Sequence, residues 1–163
     1  MINLFGELEF KPLKKYGIII PNYYISKEGK VYSSKTNKLM KPGKIHSKRH
    51  GRLEAHYAQI QIPKGLFKDY EYYGNSKHTC KMTISFHRCV MEVWKPIDEN
   101  PPIPKEDWEK TPETAKQFIR DSAIVDHIDN DPSNNHVDNL RWLTPKENSN
   151  YRKTLDNLSL IHI

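Results

Sequence analysis

The chain has 163 residues, of which 36% are hydrophobic and 28% are charged, and this size predicts a single modest core. No signal peptide is recognisable, and the apolar run at residues 18–20 is too short to span a bilayer, so we expect a cytoplasmic protein without a membrane partner. The formal net charge of +6 predicts an anionic partner, and nucleic acid fits best because no amphipathic basic helix suits a membrane surface.

The N-terminal part predicts antiparallel β structure. Residues 23–25 and 31–33 alternate around a turn that contains Gly29, and residues 38–41 predict a third strand. Residues 56–62 and 79–86 predict a further strand pair. The loop between them is rich in tyrosine, and its side chains either stack on bases or pack partly into the core: Tyr70, Tyr72 and Tyr73.

Two His-x-Cys patterns end in Cys80 and Cys89, and they allow two interpretations. One is a zinc site with two histidine and two cysteine ligands. The other is apolar packing, since Cys80 shares a strand face with Met82, Ile84 and Phe86, and Cys89 falls on the apolar side of a helix at residues 87–94. We favour packing, and therefore expect neither a structural zinc nor a disulfide.

Five basic residues lie close together with no acidic residue among them, which suits neutralisation of a phosphate backbone: Lys41, Lys44, Lys48, Arg49 and Arg52. The alternative is a solvated basic loop. Residues 95–121 are polar and contain several prolines, and Thr111-Pro112-Glu113-Thr114 is a helix start, so we expect one or two short helices there.

Residues 122–155 have their own start and stop signals. An apolar run ends in Asp126-His127 and predicts a strand. The last two side chains of this strand are functional groups, and they should point to opposite faces. A loop of Asn, Asp and Ser follows, then a second strand at residues 140–143. Thr144 to Glu147 is a capping box with Pro145 at the first helical position. The order is strand, loop, strand, helix.

The loop also resembles a calcium-binding EF-hand loop, because Asp129, Asp131 and Ser133 alternate. We reject this interpretation, since the sixth position is not Gly and the twelfth is Leu140 instead of Glu. Four polar residues are expected to shape the loop without binding metal: Asp129, Asp131, Asn134 and Asn135. His136 is expected to be solvated.

In this segment the chain resembles the HNH, or ββα-metal, nuclease module, in the form found in phage and intron homing endonucleases. That family shows Asp-His, a loop with paired Asn, then Asn-Leu-Arg-Trp, a Thr and a last Asn on the helix. The matching positions are Asp126, His127, Asn134, Asn135, Asn139 to Trp142, Thr144 and Asn148. Two further motifs are similar to those that precede the module in such enzymes: Tyr-x-x-Ser-x-x-Gly-x-Val-x-Ser at residues 23–33, and His-Arg-x-Val at residues 87–90.

The resemblance implies the site. It assigns Asp126 and Asn148 to one divalent metal ion, His127 to general base and Asn139 to orienting His127. Many relatives have His where this chain has Asn148, so we expect an oxygen-liking ion, Mg²⁺ with Mn²⁺ as the substitute, and not zinc. Besides the five basic residues above, four residues complete the expected DNA contacts: His87, Arg88, Arg141 and Arg152. For His87 and Arg88 two interpretations stay open, since they either bind phosphate or pack under the module.

The segments predict an α+β fold: an N-terminal antiparallel β-rich part with a connecting helix at residues 1–94, a polar insertion at 95–121, the ββα-metal module at 122–155 and a tail at 156–163. The resemblance implies a phage-encoded, homing-type DNA endonuclease that leaves 5′-phosphate and 3′-hydroxyl ends, as a monomer or a homodimer. Few residues follow Arg152, so we expect any sequence preference to be short. Two alternatives stay open: a nuclease for DNA packaging or host-DNA degradation, and an inactive nucleic-acid-binding regulator.

Overall fold

A computed structural model describes residues 2–3, 6–46, 54–68 and 76–161 of the chain. Within these residues, the strands form three antiparallel sheets that surround one helix, and three more helices follow it. The fold is therefore of the mixed α+β class that the sequence predicts. No helix in these residues has the length and apolar character that a membrane span needs.

The first sheet has the order β1-β2-β3-β4-β5, and each strand runs antiparallel to the next. Its strands are β1 (Ile2–Asn3), β2 (Glu9–Lys15), β3 (Ile18–Ser26), β4 (Val31–Ser33) and β5 (Lys38–Leu39). The predicted hairpin around Gly29 is confirmed, and the third predicted strand is present as β5. Strand β2 was not predicted, because Pro12 and a register shift between Pro12 and Lys14 break its alternation.

The second sheet places β7 (Glu54–Pro63) between β6 (Gly43–His46) and β8 (Thr79–Ser85). Strands β7 and β8 confirm the predicted pair, with Tyr57 opposite Ser85 and Ile62 opposite Cys80. Several residues singled out in the sequence lie outside the described residues: Lys48, Arg49, Arg52, Tyr70, Tyr72 and Tyr73.

Helix α1 (Phe86–Trp94) is the centre of the fold. It contacts strands of both N-terminal sheets and the C-terminal strands described below. Its apolar face is fully buried, through Phe86, Cys89, Val90 and Met91. Cys80 on β8 is also buried, and its thiol donates weakly to the carbonyl of Ile62. Burial raises the pKa of the Cys89 thiol to about 12, so both cysteines pack as apolar side chains, as the sequence predicts.

Two short helices follow, α2 (Lys105–Lys110) and α3 (Glu113–Ser122), which confirms the prediction for this stretch. Trp108 anchors α2 because its side chain is buried. Arg120 on α3 binds the carboxylates of Asp98 and Glu113, each at 2.6 Å. These contacts join α3 to the beginning of the polar stretch at Asp98.

The C-terminal unit contains β9 (Ile124–His127), β10 (Leu140–Leu143) and α4 (Pro145–Ile161), in the predicted order. The capping box is present: the backbone N–H of Thr144 donates to Glu147 Oε2 at 2.9 Å, and the N–H of Glu147 donates to Thr144 Oγ1 at 3.3 Å. Helix α4 continues to Ile161, so it crosses the boundary that we predicted after residue 155.

Candidate active site

Asp126 and His127 end strand β9, where successive side chains point to opposite faces. Asp126 lies opposite Arg141 on β10, and Arg141 Nε donates to Asp126 Oδ2 at 2.8 Å. The guanidinium of Arg141 also stacks over the ring of Tyr151 on α4, 4.4 Å from its centroid. The Asp126 side chain is 19% exposed, so its carboxylate is accessible beside a fixed cation.

His127 is held on two sides. Its Nε2 lies 2.9 Å from Oδ1 of Asn135, in the loop between β9 and β10. Its ring packs against the ring of His87, the second residue of α1, with the ring centroids 5.2 Å apart and the planes tilted by 58°. The imidazole is therefore oriented in two ways: its ring packs against His87, and its Nε2 is hydrogen-bonded to Asn135.

The structure corrects the role expected for Asn139. Its side-chain amide does not bond to His127: Nδ2 donates to Asp129 Oδ1 at 2.8 Å and to the carbonyl of Asn134 at 2.9 Å, and Oδ1 accepts the backbone N–H of Asp129 at 3.1 Å. Asn139 thus closes the loop upon itself. It acts on His127 through the backbone, since the N–H of the next residue, Ile128, donates to the carbonyl of Asn139.

The rest of the loop is held by its own carboxylates. Asp129 accepts bonds from the backbone of Asp131 and from the amides of Asn134 and Asn139, and these bonds hold its pKa below the usual range. Asp131 accepts from the hydroxyl and the N–H of Ser133, with the same effect on its pKa. These residues shape the loop, as the sequence predicts.

Asn148 is half-buried near the start of α4, and its N–H donates to the carbonyl of Thr144, the N-cap. Helix α4 contacts both β9 and β10, the strands that carry Asp126 and Arg141. Asp126 and Asn148 offer only oxygen ligands, which suit a hard cation that keeps its waters. In the described parts of the chain, no group of three or more His, Cys, Asp or Glu side chains is placed to hold a metal ion, so any such site depends on few protein ligands.

Two residues expected to contact DNA instead make their contacts within the protein. Arg88 donates from Nε to Glu92 at 3.1 Å and from Nη1 to the carbonyl of Ala123 at 2.8 Å, and it lies over the ring of Trp142. His87 packs under His127, and its Nδ1 is buried without a hydrogen-bond partner. Burial, with the neighbouring charges of His127 and Arg88, lowers the pKa of His87 to about 4. Both residues join α1 to the C-terminal unit.

Besides Arg88 and Arg141, three basic residues expected to contact DNA lie in the described parts of the chain. Lys41 and Arg152 are exposed, and Lys44 belongs to β6. Sequence reasoning missed one residue of the site, Asn135, because the sequence predicts for it only a role in shaping the loop. It is buried, with 3% of its surface exposed, and no local pattern distinguishes it from its neighbours.

Residues 96–150 match the family model described as HNH endonuclease. This matched part of the chain resembles an HNH endonuclease domain, and we call it the HNH domain below. The match begins within the stretch that we predicted as an insertion, so that stretch belongs largely to the family model. The HNH domain thus includes α2 and α3 as well as the strands that carry Asp126 and Arg141.

A curated relative, the "Uncharacterized HNH endonuclease L245" of Acanthamoeba polyphaga mimivirus, is 29% identical over 143 residues, which cover 86% of this chain and 31% of the relative. A solved structure, "DNA binding and cleavage by the HNH homing endonuclease I-HmuI", matches with a TM-score of 0.53 and 24% identity, over 91% of this chain and 59% of that one. The second likeness shows a shared fold that extends beyond the HNH domain into the N-terminal sheets. This chain spans under a third of the viral relative and about three fifths of the solved chain.

Proposed function

We propose that the protein is an Mg²⁺-dependent DNA endonuclease that hydrolyses phosphodiester bonds through its HNH domain. The observation that carries this proposal is the end of β9, where an accessible carboxylate and an oriented imidazole are adjacent in sequence, on a strand that contacts α4. A carboxylate for a cation and an imidazole for a proton are the two groups that metal-assisted phosphodiester hydrolysis requires.

The ligand set supports a hard divalent cation. Asp126 and Asn148 are the residues that would hold it, and Mn²⁺ is the expected substitute because it accepts the same oxygen ligands. When bound, the ion stabilises the negative charge that develops on the phosphate and on the leaving oxygen. Asp126 already faces the guanidinium of Arg141, so the structure supports a role for this carboxylate in holding positive charge.

The side chains of the chain supply the other functions. His127 accepts the proton of the attacking water, a role that a neutral imidazole fills near pH 7. Arg141 lies beside Asp126, where a second positive charge attracts the phosphate. Asn139 keeps the loop closed, which fixes the end of β9 relative to β10.

DNA is the proposed substrate because the chain carries a net charge of +6 and because its fold matches that of a homing endonuclease solved for its DNA binding and cleavage. We further propose a viral or phage origin and a homing-type role, which the mimivirus relative and the homing endonuclease likeness support. A role in DNA packaging or in host-DNA degradation uses the same chemistry and differs in the products.

The test is incubation of the purified chain with supercoiled plasmid and Mg²⁺. Nicked circles, full-length linear DNA and a smear distinguish cutting of one strand, cutting of both strands and general degradation. His127→Ala should cut roughly 10²–10⁴-fold more slowly and still bind DNA. Asp126→Ala and Asn148→Ala should be partly rescued by more Mg²⁺ or by Mn²⁺, because each removes one oxygen ligand. A wild-type chain that binds DNA and leaves the plasmid intact with either ion would show that the protein is a binding regulator.

A further inference from the structure

We infer that the N-terminal sheets are part of the catalytic apparatus: the turn at residues 26–30 and His56 on β7 position Asn135, and Asn135 fixes His127 with its proton on Nε2 and its accepting lone pair on Nδ1. This inference rests on the proposed function and deepens it, because it assigns the base to one atom. It also gives the motif at residues 23–33 a task in the site.

Asn135 differs from the loop around it. Its neighbours Asn134 and His136 are exposed or half-buried, whereas Asn135 is buried, together with only Ser26 and Ser33 among the polar side chains of the described residues. A buried amide needs partners for both of its ends. Asn135 has them: Oδ1 lies 2.9 Å from Nε2 of His127, and Nδ2 lies 3.3 Å from Nδ1 of His56.

The chemistry of the amide fixes the protons on both rings. An amide oxygen only accepts hydrogen bonds, so Nε2 of His127 must carry a proton. The neutral ring then has its lone pair on Nδ1, and this is the atom that accepts the proton of water. The amide nitrogen only donates, so Nδ1 of His56 must present a lone pair. A proton on that atom of His56 would favour a flipped amide and the opposite tautomer of His127. His56 is therefore a positioning residue.

The turn at residues 26–30 holds Asn135 from the other side. Gly29 has φ +77°, and a Cβ at this position would lie 2.6 Å from Cβ of Asn135 and 3.0 Å from its carbonyl oxygen. Two residues further along the loop, the N–H of Val137 donates to the carbonyl of Lys27 at 2.8 Å. The turn thus contacts the loop at and beyond Asn135, and only Gly allows so close an approach.

The turn is itself rigid. Ser26 is fully buried, its backbone carbonyl accepts the N–H of Gly29 at 3.1 Å, and its N–H donates to the carbonyl of Lys30 at 3.0 Å. Its hydroxyl also accepts the N–H of Lys30 at 3.2 Å. These are the Ser and Gly positions of the motif at residues 23–33. Its residues therefore build a support for the catalytic loop.

The first test needs no activity. In the full wild-type chain, without metal or DNA and in mildly alkaline buffer, histidine ¹⁵N NMR distinguishes protonated from unprotonated ring nitrogens. The expected result is a proton on Nε2 and a lone pair on Nδ1, for both His127 and His56. A proton on Nδ1 of His127 would overturn the inference whether or not the protein cuts DNA.

The second test uses Gly29→Ala, with Gly17→Ala as the matched control. Gly17 has φ +76°, nearly the same as Gly29, so Ala introduces the same backbone strain, but a Cβ there meets nothing within 4 Å. Gly29→Ala should lower kcat on the order of tenfold to hundredfold, leave KM for DNA unchanged and alter the ¹⁵N signals of His127. Gly17→Ala should keep all three. Equal kcat and equal signals in the two variants would sink the inference.

Substitution of Asn135 separates a positioning role from a merely structural one. Asn135→Asp keeps an oxygen that accepts from Nε2, so it should retain the tautomer of His127 in the ¹⁵N spectrum. Asn135→Leu keeps the shape without the acceptor and should lose most of the activity. A Leu variant with the wild-type rate and the wild-type ¹⁵N signals of His127 would contradict the role, and an intact plasmid with the wild-type chain would count against the proposed function alone.

Discussion

Asp126 and Arg141 face each other across the two strands of the HNH domain, and Arg141 Nε donates to Asp126 Oδ2 at 2.8 Å. The pair is formed by the strand register itself, because these two residues are direct partners of β9 and β10. A divalent cation that binds Asp126 must therefore share the carboxylate with a guanidinium or displace it. The stacking of Arg141 over Tyr151 keeps the guanidinium close in either case.

We expect Arg141→Gln to tighten the binding of Mn²⁺ to the DNA-free protein by a few-fold and to slow cleavage. The positive charge of Arg141 opposes a cation at Asp126, whereas in the complex it attracts the phosphate. Calorimetric titration with Mn²⁺ measures the first effect and the plasmid assay the second. The control is Lys153→Gln, since Lys153 is an exposed basic residue of α4. Weaker cation binding in Arg141→Gln would show that Arg141 supports the ion instead of competing with it.

Arg88 should contribute to stability and not to DNA affinity. Arg88→Ala removes its bonds to Glu92 and to the carbonyl of Ala123, and it leaves Glu92, whose pKa burial already raises, without its guanidinium partner. We expect the free energy of unfolding to fall by about 2 kcal/mol, because the pair is only partly buried. Urea unfolding measures this loss. DNA affinity should keep its dependence on salt, and a slope lowered by one contact would return Arg88 to the DNA-binding surface.

The elements of the HNH domain follow from the sequence because their signals are local. A capping box, a proline at the first helical position and a run of turn-forming residues each act within a few residues, and Thr144, Pro145 and Glu147 lie where these rules place them. The positioning of His127 does not follow, because Asn135 gains its partners from β7 and from the turn at Gly29, far away in the chain. Local sequence patterns do not predict contacts between residues that are far apart in the chain.

His87 should make stability depend on pH. Its pKa is about 4 in the folded protein and near 6.5 when unfolded, so between these values the unfolded chain binds more protons. Stability is therefore lost as the pH falls from about 6.5 towards 4, by at most about 3 kcal/mol, and is fully present above that window. His87→Gln should flatten this part of the curve of thermal stability against pH. The control is His78→Gln, at an exposed position, and a wild-type slope in His87→Gln would show that other groups cause the loss.

The basic segment, residues 41–52, is with Arg141 and Arg152 a candidate for contact with the phosphate backbone, because Arg88 and His87 are engaged inside the protein. Lys48, Arg49 and Arg52 lie outside the described residues, so this prediction rests on the sequence alone. Replacing the three with Gln should weaken binding to all DNA sequences alike and lower the slope of log affinity against log salt by close to one unit per lost contact.

The control for net charge is a second triple variant on α2 and α3, in which Lys105, Lys110 and Lys116 become Gln. It removes the same formal charge from a different part of the chain. Long-range attraction depends on total charge and should weaken similarly in both variants, whereas direct phosphate contacts change the salt slope only where they are made. Binding titrations at several salt concentrations separate the two effects. Equal slopes in the two variants would mean that the basic segment is a solvated loop.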